Sequence, residues 1–184
     1  PTWRGAVGAV DTKATTYVQY YLYEIDKRLE DDEILYVNLH PIANKNVAFS
    51  GFKHIKPFPV DYETYEFLNI ADCLVTDYSS VFYDYAVSRK KCVLFTYDEE
   101  EYFADRGLYR SLDSLPFPSV KTVDDLIAEL RAPKNYDDTA FLQEYCSYDC
   151  AEASKALCKK LFLGVDSELI REREIPNNGK KNIL

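Results

Sequence analysis

Cys73-Leu74-Val75-Thr76-Asp77-Tyr78-Ser79-Ser80-Val81-Phe82-Tyr83-Asp84-Tyr85-Ala86 sets four strand-forming residues directly before a polar turn and a helical stretch that continues to Ser88. Cys73 to Thr76 is a short, continuous apolar run, the pattern of a strand buried on both faces of a parallel sheet. The segments on either side repeat that grammar. Upstream, Tyr62 to Ile70 has helical spacing, with Asp61 as its expected N-cap. Before it, Ile34-Leu35-Tyr36-Val37 forms a second buried parallel strand that stops at Leu39-His40-Pro41. Thr12 to Leu29 carries Val18, Leu22, Ile25 and Leu29 on one helical face. Downstream, Cys92-Val93-Leu94-Phe95 is the third strand. Strands alternating with helices of this length predict right-handed crossovers, and therefore an α/β fold with a parallel sheet and helices on both faces.

After Leu112 the pattern changes. Pro116 and Pro118 mark a loop, and Thr122 caps a helix through Leu130 with Asp125 at the capping-box position. Closing helices are predicted at Asp138 to Tyr145 and Asp149 to Phe162. The latter sets Cys150, Ala153, Leu157 and Leu161 on a face expected to pack on the sheet. Residues 1–164 read as one domain and residues 165–184 as a polar, poorly ordered tail.

Composition limits what this domain can do. At 184 residues and 47% hydrophobic, the chain can bury one sizeable core. A net charge of -9 with no Lys/Arg cluster argues against broad nucleic-acid binding. It leaves room for one bound nucleotide, because a pyrophosphate needs only a few N–H groups and one or two cations. No apolar run approaches the length of a membrane span, and no basic-then-apolar leader precedes the fold, so a soluble, unexported domain is expected. The five cysteines form no C-x-x-C pair and read as reduced, mostly buried small hydrophobes. The chain starts at Pro1 and contains no Met, as a fragment of a longer protein would.

In open α/β sheets, ligands bind outside the carboxyl ends of the strands. The three strands end at His40-Pro41, at Asp77-Tyr78-Ser79-Ser80 and at Tyr97-Asp98, which are expected to converge on one edge. Asp77 to Ser80 is the most informative, since its hydroxyls and unpaired N–H groups suit an anion. A partly exposed contact of that kind contributes on the order of 0.3 to 1 kcal/mol. Simple N-capping by Ser79 or Ser80 would account for the same serines. His40, fixed in extended backbone before Pro41, can donate to a phosphate oxygen or carry a proton. His54 has no comparable placement and reads as structural. Arg4 and Arg106 are candidate phosphate ligands, because a guanidinium is always charged and can bind two oxygens. The acidic run Asp98-Glu99-Glu100-Glu101 reads as a solvated helix start, with Mg²⁺ held against a pyrophosphate as the alternative. No cofactor is required by this reading.

Taken in order, Pro1-Thr2-Trp3-Arg4, Leu39-His40-Pro41, Asp72 to Ala86, Tyr97-Asp98-Glu99-Glu100-Glu101-Tyr102 and Arg106-Gly107-Leu108-Tyr109 resemble the CDP-glycerol glycerophosphotransferase family, the teichoic-acid polymerases and primases. The resemblance runs from Pro1 to Phe162. It implies the carboxyl-terminal, donor-binding lobe of a two-lobed GT-B fold, with an amino-terminal lobe and the strand leading into Pro-Thr-Trp-Arg lying upstream of Pro1. It further implies transfer of glycerol phosphate from CDP-glycerol, or from another CDP-alditol, to a lipid-linked teichoic-acid acceptor at the cytoplasmic face of the membrane, with release of CMP. Thr2, Arg4, His40, Asp77, Ser79, Ser80 and Arg106 would bind substrate, with His40 also catalytic. Three positions depart from the family pattern: Asn38 replaces a basic residue, Phe117 stands between Pro116 and Pro118 in place of Gly, and Cys150 follows Asp149 in place of Gly. A UDP-sugar glycosyltransferase lobe and a non-catalytic nucleotide-binding module are the alternatives.

Overall fold

The computed structural model of the chain describes residues 12–39, 47–107 and 110–171. The chain forms two compact units, Pro1–Tyr145 and Cys146–Leu184. In the first, the described elements are α1 (Thr12–Asp26), β1 (Leu35–Val37), β2 (Ile55–Pro57), α2 (Thr64–Ile70), β3 (Cys73–Thr76), α3 (Val81–Ala86), β4 (Lys91–Phe95), α4 (Glu99–Asp105), a 3-10 turn (Leu112–Ser114), β5 (Ser119–Val120), α5 (Val123–Arg131) and α6 (Thr139–Tyr145).

Strand β4 is buried along its whole length because it has a parallel partner on each side, β3 from Cys73↔Lys91 to Thr76↔Leu94 and β5 at Leu94↔Ser119 and Phe95↔Val120. A central parallel strand leaves no polar face, which is why it reads as an unbroken apolar run. β5 was expected to be loop. Two residues next to Pro118 form a strand only because the Leu94 and Thr96 N–H groups reach the Pro118 and Val120 carbonyls at 2.8 and 2.9 Å. Beyond the end of β5, the Tyr136 hydroxyl accepts the Cys92 N–H at 2.7 Å and satisfies the ladder there.

β1 and β2 make a second parallel ladder, from Leu35↔Ile55 to Val37↔Pro57. β2 escaped the sequence reading, since Ile-Lys-Pro has neither an apolar run nor clear alternation. The Asp26 carboxylate, at the end of α1, anchors it by accepting the N–H groups of Lys53, His54 and Ile55 at 3.1, 2.8 and 3.1 Å. β1 is also less buried than predicted: Val37 is inside, but Tyr36 faces out and packs edge-on to Phe67 of α2 at 5.0 Å. The cap of α2 is Glu63 rather than Asp61, its carboxylate accepting from Tyr65 N and Glu66 N.

One core joins the two ladders to α1 and α5. Leu22 and Ile25 from α1 and Val123, Leu126 and Ile127 from α5 pack with Val37, Ile55, Val93 and Phe95. Each such side chain contributes on the order of 1.5 to 3 kcal/mol on full burial. Arg28 pairs with Asp124 at 2.6 Å and Arg131 with Glu33 at 2.9 Å, tying α1 and the turn after it to α5. Thr122 caps α5 as predicted, accepting the Asp125 N–H at 3.1 Å. The strand period of two turns Cys92 and Leu94 to the other face, the side on which Phe82, Tyr85 and Ala86 of α3 are buried and Tyr85 lies close to Cys92. Parallel strands with helices on both faces are the α/β class that the sequence pattern predicts.

The second unit holds α7 (Ala153–Leu163), ended by Gly164 in left-handed backbone at φ 67°. Cys150 lies before the helix and is exposed, Leu157 is half-exposed and Leu161 is 69% exposed; Ala156 is the buried position. Helical spacing shows that a face is apolar, but not that anything lies against it. The cysteines also differ from expectation: Cys92 is buried, Cys73 and Cys146 are intermediate, and Cys150 and Cys158 are exposed. Among the described residues, no helix is long and apolar enough to cross a membrane.

Candidate functional site

The register Thr76↔Leu94 brings the carboxyl ends of β3 and β4 to the same edge of the ladder. The turn after β3 starts with Asp77, only 4% exposed. Ser79 Oγ accepts the Val81 N–H at 3.4 Å, close to the long limit for a hydrogen bond. Ser80 occupies the N-cap position of α3 in αR backbone (φ -64°, ψ -6°), where its side chain makes no capping hydrogen bond. Capping therefore does not account for Ser80, whose residue is exposed at the mouth of the turn. Because α3 has only six residues, any pull on an anion there comes from local first-turn N–H groups and hydroxyls, with little summed helix dipole.

The residue between Asp77 and Ser79 turns inward. Tyr78 is 8% exposed, stacks on Tyr102 of α4 with ring centroids 3.9 Å apart and planes 15° apart, and donates its hydroxyl to Asp98 Oδ1 at 3.1 Å. Asp98 is the residue just before α4, Tyr102 lies on that helix, and Arg106 is its C-cap, with the Arg106 N–H donating to Tyr102 O at 2.9 Å. Gly107 follows with φ 69°, a left-handed conformation that stops the helix and that Gly adopts without a Cβ clash. The Arg106 side chain lies 3.5 Å from Asp105. Tyr97, at the end of β4, packs against Tyr21 of α1 at 4.2 Å. Burial, then the neighbouring Tyr20 and Asp98, hold the Tyr21 phenol above its ordinary pKa.

Asp77, Ser79 and Ser80 thus share one turn, and Arg106 ends the helix that packs against that turn through Tyr78. Thr2, Arg4 and His40 lie outside the described residues, so the predicted convergence of three strand ends is seen for β3 and β4. Near the His40 motif, Leu39 is buried and Asn38 donates to Thr64 Oγ1 at 3.4 Å. His54 is buried beside β2, 4.0 Å from Asp31. In the acidic run, Asp98 accepts from Tyr78, Glu99 pairs with Lys121 at 2.7 Å, and Glu99 to Glu101 form the first turn of α4. Among the described residues, no three His, Cys, Asp or Glu side chains group as a metal site. The residues that sequence reasoning missed are Tyr78, Tyr102 and Tyr21. Tyr78 and Tyr102 stood inside quoted motifs, but nothing local showed that they face each other.

The chain is 30% identical over 167 residues to a teichoic acid poly(glycerol phosphate) polymerase of Staphylococcus epidermidis, covering 84% of this chain and 23% of that protein. It is 29% identical over 181 residues to a teichoic acid poly(ribitol-phosphate) polymerase of Bacillus spizizenii, covering 94% of this chain and 28% of the other. A solved structure of the wall teichoic acid polymerase TagF, a histidine-to-asparagine variant, superimposes with a TM-score of 0.71 at 28% identity, over 89% of this chain and 42% of that one. The same variant soaked with CDPG superimposes with a TM-score of 0.67. The chain therefore spans less than half the length of these relatives. Residues 1–163 match the family model described as CDP-Glycerol:Poly(glycerophosphate) glycerophosphotransferase, and the chain belongs to that family.

Proposed function

We propose that this chain is the donor-binding part of an enzyme that transfers glycerol phosphate from CDP-glycerol to a hydroxyl of a teichoic-acid-type acceptor. The acceptor oxygen attacks the glycerol-bearing phosphorus, a new P–O bond forms, the bond from that phosphorus to the bridging oxygen breaks, and CMP leaves with the electron pair. The hydroxyl proton passes to a base or to solvent. Little covalent chemistry falls to the protein in such a step, so catalysis rests on positioning and on neutralising charge at the phosphoryl oxygens. Ser79, Ser80 and the adjoining N–H groups hold the pyrophosphate at the turn that Asp77 opens. Arg106 and Arg4 neutralise charge, Thr2 adds a contact, and His40 stabilises the transferring phosphoryl or the leaving group. Residues 1–164 act as the GT-B donor lobe, followed by a polar tail. An amino-terminal lobe supplies the acceptor side, and the complete enzyme works peripherally at the cytoplasmic face on a lipid-linked acceptor.

The observation that carries this reading is the exposed Ser80 side chain left out of helix capping at the shared edge of β3 and β4, in a chain of this family. The ribitol-phosphate polymerase among the relatives supports a second reading, in which the donor is CDP-ribitol. Calorimetric titration with CDP-glycerol, CDP-ribitol and UDP-sugars decides among these. Saturable binding of a CDP-alditol is the expected result, and preference for a UDP-sugar would replace the proposal with a glycosyltransferase. Transfer activity measured with the upstream sequence joined, and unchanged in His40→Ala, would refute the role given to His40.

A further inference from the structure

We infer that Tyr78, Asp98 and Tyr102 are positioning residues that lock the Ser79-Ser80 turn to the helix ending in Arg106; the role rests on the donor-site reading above. The turn after β3 must keep its serines at the surface, and a polar turn of four residues has little core of its own to hold it there. Tyr78 supplies the hold. Its ring is buried in a parallel stack on Tyr102 at 3.9 Å, and its hydroxyl is tied to Asp98 at 3.1 Å, so both ends of the side chain are fixed to a single element.

Asp98, Tyr102 and Arg106 follow one another at intervals of four. Asp98 is the N-cap of α4, Tyr102 lies within the helix and Arg106 is its C-cap, so the three mark the start, body and end of one short element. The Arg106 N–H is itself bonded to Tyr102 O. The turn and the backbone of Arg106 are thereby both tied to α4, although Tyr78 lies 20 residues before Asp98 in sequence. A shift of the Tyr78 ring would move Ser79 and Ser80 relative to Arg106 without breaking either group. Positional errors of about 1 Å are enough to cost two orders of magnitude in a positioned reaction.

The test is a double-mutant cycle on CDP-glycerol affinity in the full-length protein. Tyr78→Phe keeps the stack and loses the hydroxyl bond, and is expected to weaken binding several-fold, with about 10-fold as the ceiling set by the energy of the one hydrogen bond that holds the turn. Arg106→Ala weakens binding by itself. The double variant is expected to lose less than the product of the two single losses, because without Arg106 the brace still holds Ser79 and Ser80 but no longer sets them against the cation. Asp98→Asn, which keeps an acceptor for the Tyr78 hydroxyl, is expected to lose less than Asp98→Ala. Effects that multiply in the double variant overturn the brace, as does a Tyr78→Phe protein that binds like wild type with only a lower melting temperature. A wild-type protein that binds no CDP-glycerol removes the donor reading first, and the brace's role with it.

Discussion

Replacing Ser80 with Ala separates the two explanations for the serines of the β3–α3 turn. At a true N-cap, Ser→Ala costs about 0.5 to 2 kcal/mol, because a first-turn N–H loses its acceptor. Ser80 makes no such bond, and its residue is exposed, so the substitution leaves neither a cavity nor an orphaned donor. The expected stability change is therefore within about 0.5 kcal/mol, the range of ordinary surface substitutions. In a chain of this size that moves the melting temperature by no more than about 2 °C. Donor binding behaves differently. A hydroxyl bonded to an ionised phosphate oxygen is worth about 1.5 to 3 kcal/mol, so the dissociation constant of CDP-glycerol should rise on the order of 10- to 100-fold. Thermal denaturation of wild type and Ser80→Ala, beside calorimetric titration of both, reads the two quantities independently. A melting temperature lowered by several degrees with unchanged donor affinity would show that Ser80 serves the helix and not the ligand.

Two further outcomes follow from groups outside that turn. Asp138, buried before α6, accepts from Arg89 Nη1 at 2.8 Å and from Lys134 Nζ at 2.6 Å. Burial by itself would raise its carboxyl pKa, but the hydrogen bonds from Lys134 and Arg89 outweigh it and hold the value below that of the unfolded chain. In the window between the lowered folded value and the unfolded value near 3.9, the unfolded state binds more protons. Asp138 therefore contributes stability that is fully present above the unfolded value and is lost as pH falls through the folded one. Urea melts of wild type should show this loss below about pH 4, this one group contributing a slope of at most about 1.4 kcal/mol per pH unit, and Asp138→Asn should lack that component; parallel curves would remove it.

The cysteines give the second outcome, because Cys150 and Cys158 are exposed while burial pushes the Cys73 thiol up to about 11 and the Cys92 thiol higher still. A thiol reagent at pH 8 should label Cys150 and Cys158 rapidly and leave Cys92 to react only on unfolding. Peptide mapping that finds Cys92 labelled at the rate of Cys158 would contradict the buried β4.

The local elements were legible because their information is local. Cys73 to Thr76 is β3, residue for residue, and Thr122 caps α5 with Asp125 in place, since a strand run and a capping bond depend on neighbours no more than about four residues apart. The turn at Asp77 to Ser80 was likewise visible as the junction of a strand with a helix. Where the reading failed, the deciding partner was distant. β5 is a strand because β4 presents an open row of N–H groups to it, and β2 because Asp26 gathers three N–H groups at its start. α7 kept its apolar spacing and shortened by a turn, but spacing carried no information on what would cover it.

By itself, then, the amino-acid order determined an α/β chain of this family, with a hydroxyl-rich turn after the strand at Cys73 to Thr76. Tertiary structure alone decided that Ser80 is not spent on capping, and that Tyr78 turns inward to meet Asp98 and Tyr102 across 20 and 24 residues of chain. The physical reason is range. Periodicity and capping act within a helical turn, whereas a stacked ring pair and a part-buried hydroxyl bond exist only after parallel pairing of β3 with β4 has brought two distant loops to one edge.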